Sequence, residues 1–154
     1  SAQPAVGPLP DIAIPEGAAE RLAGSLRIPT VSNEDPHAFD AEAFQALHAY
    51  LQAAFPRVHS QLRRETVQTH SLLYTWQGSD PSLKPILLMG HLDVVPVEPG
   101  TEEKWEEAPF GGRIANGFIW GRGAIDNKSA VVVPDQPHQK HHRAGEPAGL
   151  QIEE

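Results

Sequence analysis

At residues 85–93 the chain reads Pro85-Ile86-Leu87-Leu88-Met89-Gly90-His91-Leu92-Asp93. The apolar run before Gly90 is short and continuous, which is typical of a β-strand buried on both faces of a sheet. Open α/β sheets usually place their functional groups at the carboxyl ends of strands. The stretch therefore predicts an α/β fold in which a buried strand presents His91 and Asp93 at its end.

The segments on either side of this strand alternate between helical and extended patterns. Pro15 is expected to open a helix that ends before Pro29, because the residue preceding a proline is pushed out of the helical region. Asp40 is a predicted N-cap of a second helix that Pro56 ends. The pattern predicts a central mixed sheet with flanking helices. Its other extended segments are Val58 to Leu62, Leu72 to Gln77, and a hairpin from Ile114 to Trp120 around the turn Asn116-Gly117.

The composition argues against nucleic-acid binding and against metal sites built from cysteine. The 154 residues carry a formal net charge of −8 and contain no cysteine. An acidic chain without a basic face is a poor candidate for binding nucleic acid, so no nucleic-acid partner is expected. Without thiolates, any metal ion must be held by histidine, aspartate or glutamate.

The two ends of the chain differ in composition from its middle. Residues 1–15 hold four prolines and are expected to form an extended lead-in. Residues 134–154 hold three prolines, no aromatic residue and only two large aliphatic residues. Such a segment buries little surface, so this tail is expected to be disordered. The folded domain is therefore predicted to span residues 16–133.

Two motifs have side chains suited to catalysis or metal binding. His91 and Asp93 suit a metal-binding imidazole and the carboxylate that orients it. They equally suit a buried histidine beside a structural aspartate. In Gly121-Arg122-Gly123-Ala124-Ile125-Asp126-Asn127-Lys128, the glycines permit an unusual backbone path before Asp126, whose carboxylate can bridge two metal ions. The alternative is a glycine-rich turn followed by an aspartate that caps a helix.

The two motifs occur in one ordered pattern. His91-x-Asp93 is followed by Val94-Val95-Pro96, Trp105, Pro109-Phe110, the hairpin, and then Gly-Arg-Gly-x-x-Asp-x-Lys. In this pattern, and in Pro29-Thr30-Val31-Ser32, the chain resembles the co-catalytic zinc hydrolases that include carboxypeptidase S, aminoacylase and acetylornithine deacetylase. It most resembles the branch of carboxypeptidase S and N-fatty-acyl-amino-acid synthase/hydrolase. The resemblance covers about residues 16 to 133.

The resemblance implies a role for each residue of the two motifs. His91 matches a zinc ligand, Asp93 the catalytic-site carboxylate that orients it, and Asp126 the carboxylate that bridges two zinc ions. The implied substrate is a small peptide or an N-acyl amino acid. Residues 16–133 then correspond to the first part of a zinc-hydrolase catalytic domain. Asn127 departs from the pattern, because close relatives commonly carry an acidic residue there.

The rest of the family's active site cannot be placed on this sequence. The family needs a glutamate general base and three further ligands. Glu153-Glu154 is not assigned these roles, because no strand-like pattern precedes it. The tail histidines are interpreted as solvated residues rather than ligands: His138, His141 and His142.

The sequence thus predicts an incomplete zinc-dependent hydrolase that is inactive by itself. The alternative is a non-catalytic metal-binding or interaction module that pairs through an exposed sheet edge with a full-length relative, and the same edge permits a homo-oligomer. Members of the resembled branch are often exported or membrane-anchored through an upstream segment, so the resemblance favours export or anchoring for this chain.

Overall fold

The computed structural model describes residues 15–132 and 150–153. Its helices are α1 (Ala18–Leu26), α2 (Ala41–Ala54), α3 (Pro56–Gln61) and α4 (Lys128–Val132). Its strands are β1 (Arg63–Val67), β2 (Ser71–Thr75), β3 (Ile86–Met89), β4 (Arg113–Ala115), β5 (Phe118–Trp120) and β6 (Leu150–Glu153). Within these ranges no helix has the length and apolar character needed to cross a bilayer.

The strands form one mixed sheet and one hairpin. The larger sheet has the order β1-β2-β6-β3, in which β1–β2 and β2–β6 are antiparallel and β6–β3 is parallel. The β4–β5 hairpin turns at Asn116 and Gly117, whose φ angles of 54° and 79° are the left-handed values that an Asn-Gly turn adopts. The predicted α/β class with a mixed sheet is confirmed, as is the hairpin.

The hydrophobic core forms where α1 and α2 meet the sheet. Along α1, Leu22 and Leu26 recur four residues apart and face inward together. They pack in one cluster with Leu47 of α2, Leu72 of β2 and Val132 of α4. α1 also contacts the β4–β5 hairpin, so this one short helix touches the core, the hairpin and α4. As predicted, α1 ends before Pro29.

The start of α2 is fixed by Asp40, as predicted. Its Oδ1 accepts hydrogen bonds from the backbone N–H groups of Glu42 and Ala43, both at 3.1 Å. These are two of the N–H groups that the first turn of a helix leaves without an intrahelical partner.

Replacing Asp40 by alanine is expected to lower the free energy of unfolding by about 0.5–2 kcal/mol, because the two N–H groups lose their acceptor. Asp40→Asn retains a side-chain oxygen and serves as the matched control. Urea unfolding followed by circular dichroism measures both. Equal destabilisation by the two variants would contradict the capping role.

The prediction of a strand over Val58 to Leu62 is wrong. Pro56 occupies the first turn of α3, where its fixed φ favours the helix and its missing N–H costs nothing. The helix continues to Gln61, and β1 begins only at Arg63. Of Val58, Ser60 and Leu62, which suggested the alternation, only Val58 and Leu62 are apolar, and their spacing of four residues is helical.

The prediction that β3 is buried on both faces is also wrong for the described residues. All four of its side chains are between 43% and 73% exposed. β3 lies at one end of the strand order, so one backbone edge and both faces are open in this part of the chain. The apolar run identified the strand correctly, but burial depends on neighbouring elements that the run does not encode.

The tail contains a strand where disorder was predicted. β6 (Leu150–Glu153) inserts between β2 and β3, with Leu88 in register with Ile152 and Met89 with Glu153. Its backbone meets N–H and C=O groups on both neighbouring strands, which satisfies them as ladder pairs. Residues 133–149 and Glu154 lie outside the described residues, and the domain boundary after Val133 remains a prediction.

The surroundings of His48 predict that folding stability depends on pH. Its side chain is buried in α2, and its Nε2 has no hydrogen-bond partner among the described residues. Burial first, and then the charge of Arg64, lower the pKa of His48 below its ordinary value, although a backbone hydrogen bond with His70 partly opposes this. The folded chain therefore binds a proton on His48 less readily than the unfolded chain does.

The contribution of His48 to stability is expected to be complete above about pH 6.5, its unfolded pKa, and to fall as pH drops toward the lowered folded pKa. His48→Gln removes this titration. Lowering the pH from about 7.5 to about 5.5 should therefore decrease the unfolding free energy of the wild-type chain more than that of His48→Gln. Urea unfolding at several pH values measures the difference, and a constant difference would disprove the assignment.

Candidate active site

His91 follows β3 in an extended segment that a neighbouring segment holds in place. Val94 forms an isolated parallel bridge with Val31, in which Val94 N–H donates to the Thr30 carbonyl at 2.8 Å. Ser32 N–H donates to the Val94 carbonyl at 3.0 Å, which completes the bridge. Residues 91–93 are therefore fixed although they lie outside a strand.

His91 and Asp93 are in direct contact. The Nδ1 of His91 lies 3.0 Å from Asp93 Oδ1 and 3.1 Å from the Asp93 backbone oxygen. An Nδ1–H that donates to either oxygen leaves the lone pair on Nε2. The arrangement orients the ring and directs Nε2 away from Asp93.

Asp126 approaches His91 from the opposite side. Its Oδ1 lies 3.0 Å from His91 Nε2, across 35 positions of sequence. The glycine-rich loop makes this approach because Gly123 has a φ of 83° and packs against the Val94 side chain, where a Cβ would collide with Val94 Cγ1. Lys128 N–H then donates to the Gly123 carbonyl at 3.1 Å, which closes the turn containing Asp126.

The structure thus brings together the three residues singled out from the sequence. The side chains of His91 and Asp93 are 46% and 38% exposed, and that of Asp126 is 88% exposed. All three are open to solvent and therefore to an ion. Between residues 15 and 132 and in β6, no group of three or more metal-binding side chains faces a common point. The cluster supplies two such groups, His91 Nε2 and the Asp126 carboxylate.

The carboxylates also change the proton affinity of His91. Partial burial lowers the pKa of His91, but this effect is outweighed by the hydrogen bond to Asp126, the backbone hydrogen bond to Asp93 and the attraction of both carboxylates. The net pKa of His91 is raised. In the metal-free chain a proton therefore competes with a metal ion for Nε2.

A cavity of about 430 Å³ opens beside the three side chains. Its wall includes the aromatic rings of Trp105, Phe118 and Trp120, together with Val95 and Ile125. The guanidinium of Arg122 stacks over the Trp105 ring at 5.0 Å, so Trp105 packs against the glycine-rich loop. A mostly apolar concave surface beside a few polar groups is the usual form of a small-molecule site.

Two buried residues near the site were not singled out from the sequence. Lys128 is buried, and Thr30 donates a hydrogen bond from Oγ1 to the Leu92 carbonyl at 2.6 Å. Both occur in the patterns that carry the family resemblance, which was the available signal. Nothing in the sequence indicated which groups they contact.

The end of β6 changes the interpretation of the last two residues. A strand does precede Glu154, and β6 runs parallel to β3 with its last residue opposite Met89. The reason for setting Glu153-Glu154 aside, the lack of a preceding strand, is therefore wrong, while their role is untested. The tail histidines lie outside the described residues.

Comparison with known proteins identifies the family. The model of peptidase family M20/M25/M40 matches residues 87–145, which include both site motifs. The chain is 42% identical over 131 residues to carboxypeptidase S of Saccharomyces cerevisiae. The match covers 80% of the chain and 23% of that protein. The chain belongs to the M20/M25/M40 peptidase family. Its relatives also include the mouse N-fatty-acyl-amino acid synthase/hydrolase PM20D1, 49% identical over 115 residues, with 73% of the chain and 22% of the relative covered.

The fold agrees with this membership. Human carnosine dipeptidase 1 superimposes with a TM-score of 0.62 at 22% identity, over 90% of the chain and 31% of that structure. An M20-family metallo-carboxypeptidase of Sulfolobus solfataricus superimposes with a TM-score of 0.61 at 21% identity. The match covers 90% of the chain and 30% of that structure. This M20-family chain spans less than a quarter of the two curated relatives named above. The sequence resemblance to this family is confirmed, with the chain matching part of it.

Proposed function

We propose that this chain forms the first metal-binding part of a zinc-dependent hydrolase that cleaves amide bonds in peptides or N-acyl amino acids. The observation that carries the proposal is the position of His91, which lies between Asp93 at Nδ1 and Asp126 at Nε2. Membership of a peptidase family and similarity to carboxypeptidase S and PM20D1 support the reaction class.

The donor atoms fit zinc. An imidazole nitrogen and a carboxylate oxygen are common zinc ligands, and a carboxylate on the second ring nitrogen is the usual support for a zinc-bound histidine. His91 and Asp126 would hold the ion, and Asp93 would keep the His91 ring oriented. When bound, zinc polarises a carbonyl group and lowers the pKa of a water molecule.

The residues of this chain have distinct tasks in that reaction. Asp93 would hold the Nδ1 proton, so that Nε2 could offer its lone pair to the ion. The neighbouring cavity, walled by Trp105, Phe118 and Trp120, would give one side of the substrate an apolar surface to pack against. Two ligands satisfy half of the four-coordinate shell that zinc prefers. We therefore expect this chain to bind zinc weakly and not to hydrolyse substrate by itself.

Calorimetric titration with zinc and an assay of dipeptides and N-acyl amino acids test the proposal together. Zinc binding that requires His91, without hydrolysis, is the expected result. Zinc-dependent cleavage by the purified chain would overturn the expected inactivity. Equal zinc binding by the wild-type chain and His91→Ala would overturn the site assignment.

A second function is favoured by the exposed strand β3. Within residues 15–132 and 150–153 its outer edge is unpaired and its four apolar side chains are exposed, which are features of a surface that pairs with another chain. The alternative proposal is a non-catalytic module that pairs through this edge with a full-length relative or a second copy. Sedimentation velocity of the chain, alone and mixed with a full-length relative, tests it. Leu87→Lys should dissociate such a complex and Leu83→Lys should not, and a wild-type chain that stays monomeric in both experiments would refute the idea.

A further inference from the structure

One short segment contacts the backbone beside both halves of the site. This segment, residues 25–32, comprises the last two residues of α1 and the six that follow, and we name it the α1 exit segment. Thr30, fully buried within it, donates from Oγ1 to the Leu92 carbonyl at 2.6 Å, and its own carbonyl accepts from Val94 N–H at 2.8 Å. These bonds hold the extended strip on which His91 and Asp93 lie.

The other half of the site is tied to the same segment by a buried lysine. Lys128 is 1% exposed, and its Nζ donates to the carbonyls of Ser25 at 3.0 Å and Ile28 at 2.9 Å. Lys128 is two residues from Asp126, and its own N–H closes the turn onto Gly123. The position of the Asp126 backbone therefore depends on where Lys128 is anchored.

The electrostatics favour this anchor. The carbonyl groups at the carboxyl end of a helix carry partial negative charge, and a cation near them is stabilised. A buried ammonium group needs such acceptors, because an unpaired buried charge is costly. The Lys128 side chain therefore has a strong preference for this one location at the end of α1.

We propose that Lys128 is a positioning residue for the metal site: through the α1 exit segment, its buried ammonium sets the distance between Asp126 and His91. Thr30 is the matching contact on the His91 side. Neither side chain touches the ion or the substrate in this scheme. The inference rests on the proposed function for its consequence, weaker metal binding, but its geometric content concerns the metal-free chain.

Lys128→Met tests the proposal, because methionine has similar length and no charge. Replacing a buried charge by an apolar side chain need not lower stability, so this variant is expected to fold. Lys104→Met, on the exposed surface, is the matched control. We expect Lys128→Met to lose the nuclear Overhauser contacts between the His91 ring and the Asp126 side chain in the metal-free chain, while contacts within the core of α1 and α2 remain.

Zinc affinity gives the second readout. Lys128→Met should weaken zinc binding by about 10–100-fold, the usual effect of losing a group that supports a metal ligand. Lys104→Met should bind zinc as the wild-type chain does. A loss of zinc affinity in Lys128→Met that leaves the His91–Asp126 contacts intact would show a structural role that does not act through their geometry, and that result would overturn the proposal.

Thr30 provides an independent pair of variants. Thr30→Val removes the hydroxyl with little change of shape, whereas Thr30→Ser retains it. We expect Thr30→Val to shift the His91 ring resonances and to weaken zinc binding, and Thr30→Ser to restore both. Thr101→Val, which removes a similar bond to the Glu98 carbonyl away from the site, should change neither.

The outcomes separate this inference from the proposed function. If the wild-type chain binds no zinc but the His91–Asp126 contacts depend on Lys128, the positioning role holds and the zinc assignment fails. If zinc binds through His91 and Lys128→Met leaves both the contacts and the affinity unchanged, the positioning role fails. If Lys128→Met does not fold, the Thr30 variants decide whether the α1 exit segment positions the site. In that case the His91 ring resonances and the zinc affinity of Thr30→Val are compared with those of Thr30→Ser.

Discussion

Replacing His91 by alanine is expected to abolish measurable zinc binding. His91 Nε2 is one of two donor groups that meet at the site, and a single carboxylate on a largely exposed loop holds zinc poorly. Asp93→Ala should have a smaller effect, about 10–100-fold in affinity, because it removes the support of the ligand and not the ligand itself. Competition with a chelating dye measures all three proteins.

The control for this series is His37→Ala, which removes an exposed histidine on a different part of the surface. It should bind zinc as the wild-type chain does. If His37→Ala and His91→Ala lose zinc binding equally, the metal is held by scattered surface histidines and the site assignment is incorrect. If Asp93→Ala loses as much zinc affinity as His91→Ala does, then Asp93 is itself a ligand.

Replacing Leu47 by alanine is expected to lower the free energy of unfolding by about 2–5 kcal/mol. Leu47 is fully buried in α2, and its side chain joins α1, β2 and α4 in one cluster. The loss has two parts. The removed methyl groups no longer contribute the free energy gained by leaving water, and the cavity that remains costs packing contacts. For a domain whose total stability is typically about 5–15 kcal/mol, this is a large fraction.

Leu83→Ala is the matched control, since Leu83 is 40% exposed in the turn before β3. Its effect should stay within about 0.5 kcal/mol, the usual range for surface substitutions. Urea unfolding followed by tryptophan fluorescence measures both variants. Similar losses for Leu47→Ala and Leu83→Ala would mean that the described core is not the one that stabilises the chain.

Much of the site could be predicted from the sequence because its chemistry is local. His91 and Asp93 are two residues apart, so their contact needs only an extended backbone. Their meeting with Asp126 was available solely through the family pattern, because no local rule joins residues 35 positions apart. The positions of Thr30 and Lys128 could not be predicted, since their partners are backbone carbonyls and the sequence does not show which ones they reach.

The errors in the predicted fold have a common physical origin. Val58, Ser60 and Leu62 suggested a strand, but Ser60 is polar, and the two apolar residues lie four positions apart, which is the spacing of the helix that Pro56 starts. β3 was identified from its apolar run, yet its exposure follows from its place at the end of the strand order. β6 was missed because the tail is poor in apolar residues, while strand pairing joins backbone N–H and C=O groups, which all four residues of β6 have.

The sequence by itself determined the α/β class, the capped helix α2, the Asn-Gly hairpin and the residues suited to bind a metal. These features depend on neighbouring side chains and on backbone preferences that act within a few residues. Tertiary structure alone decided which strands are exposed, where β6 pairs and how Lys128 and Thr30 connect the two halves of the site. Those outcomes depend on contacts between distant segments, and such contacts form only when the whole chain packs.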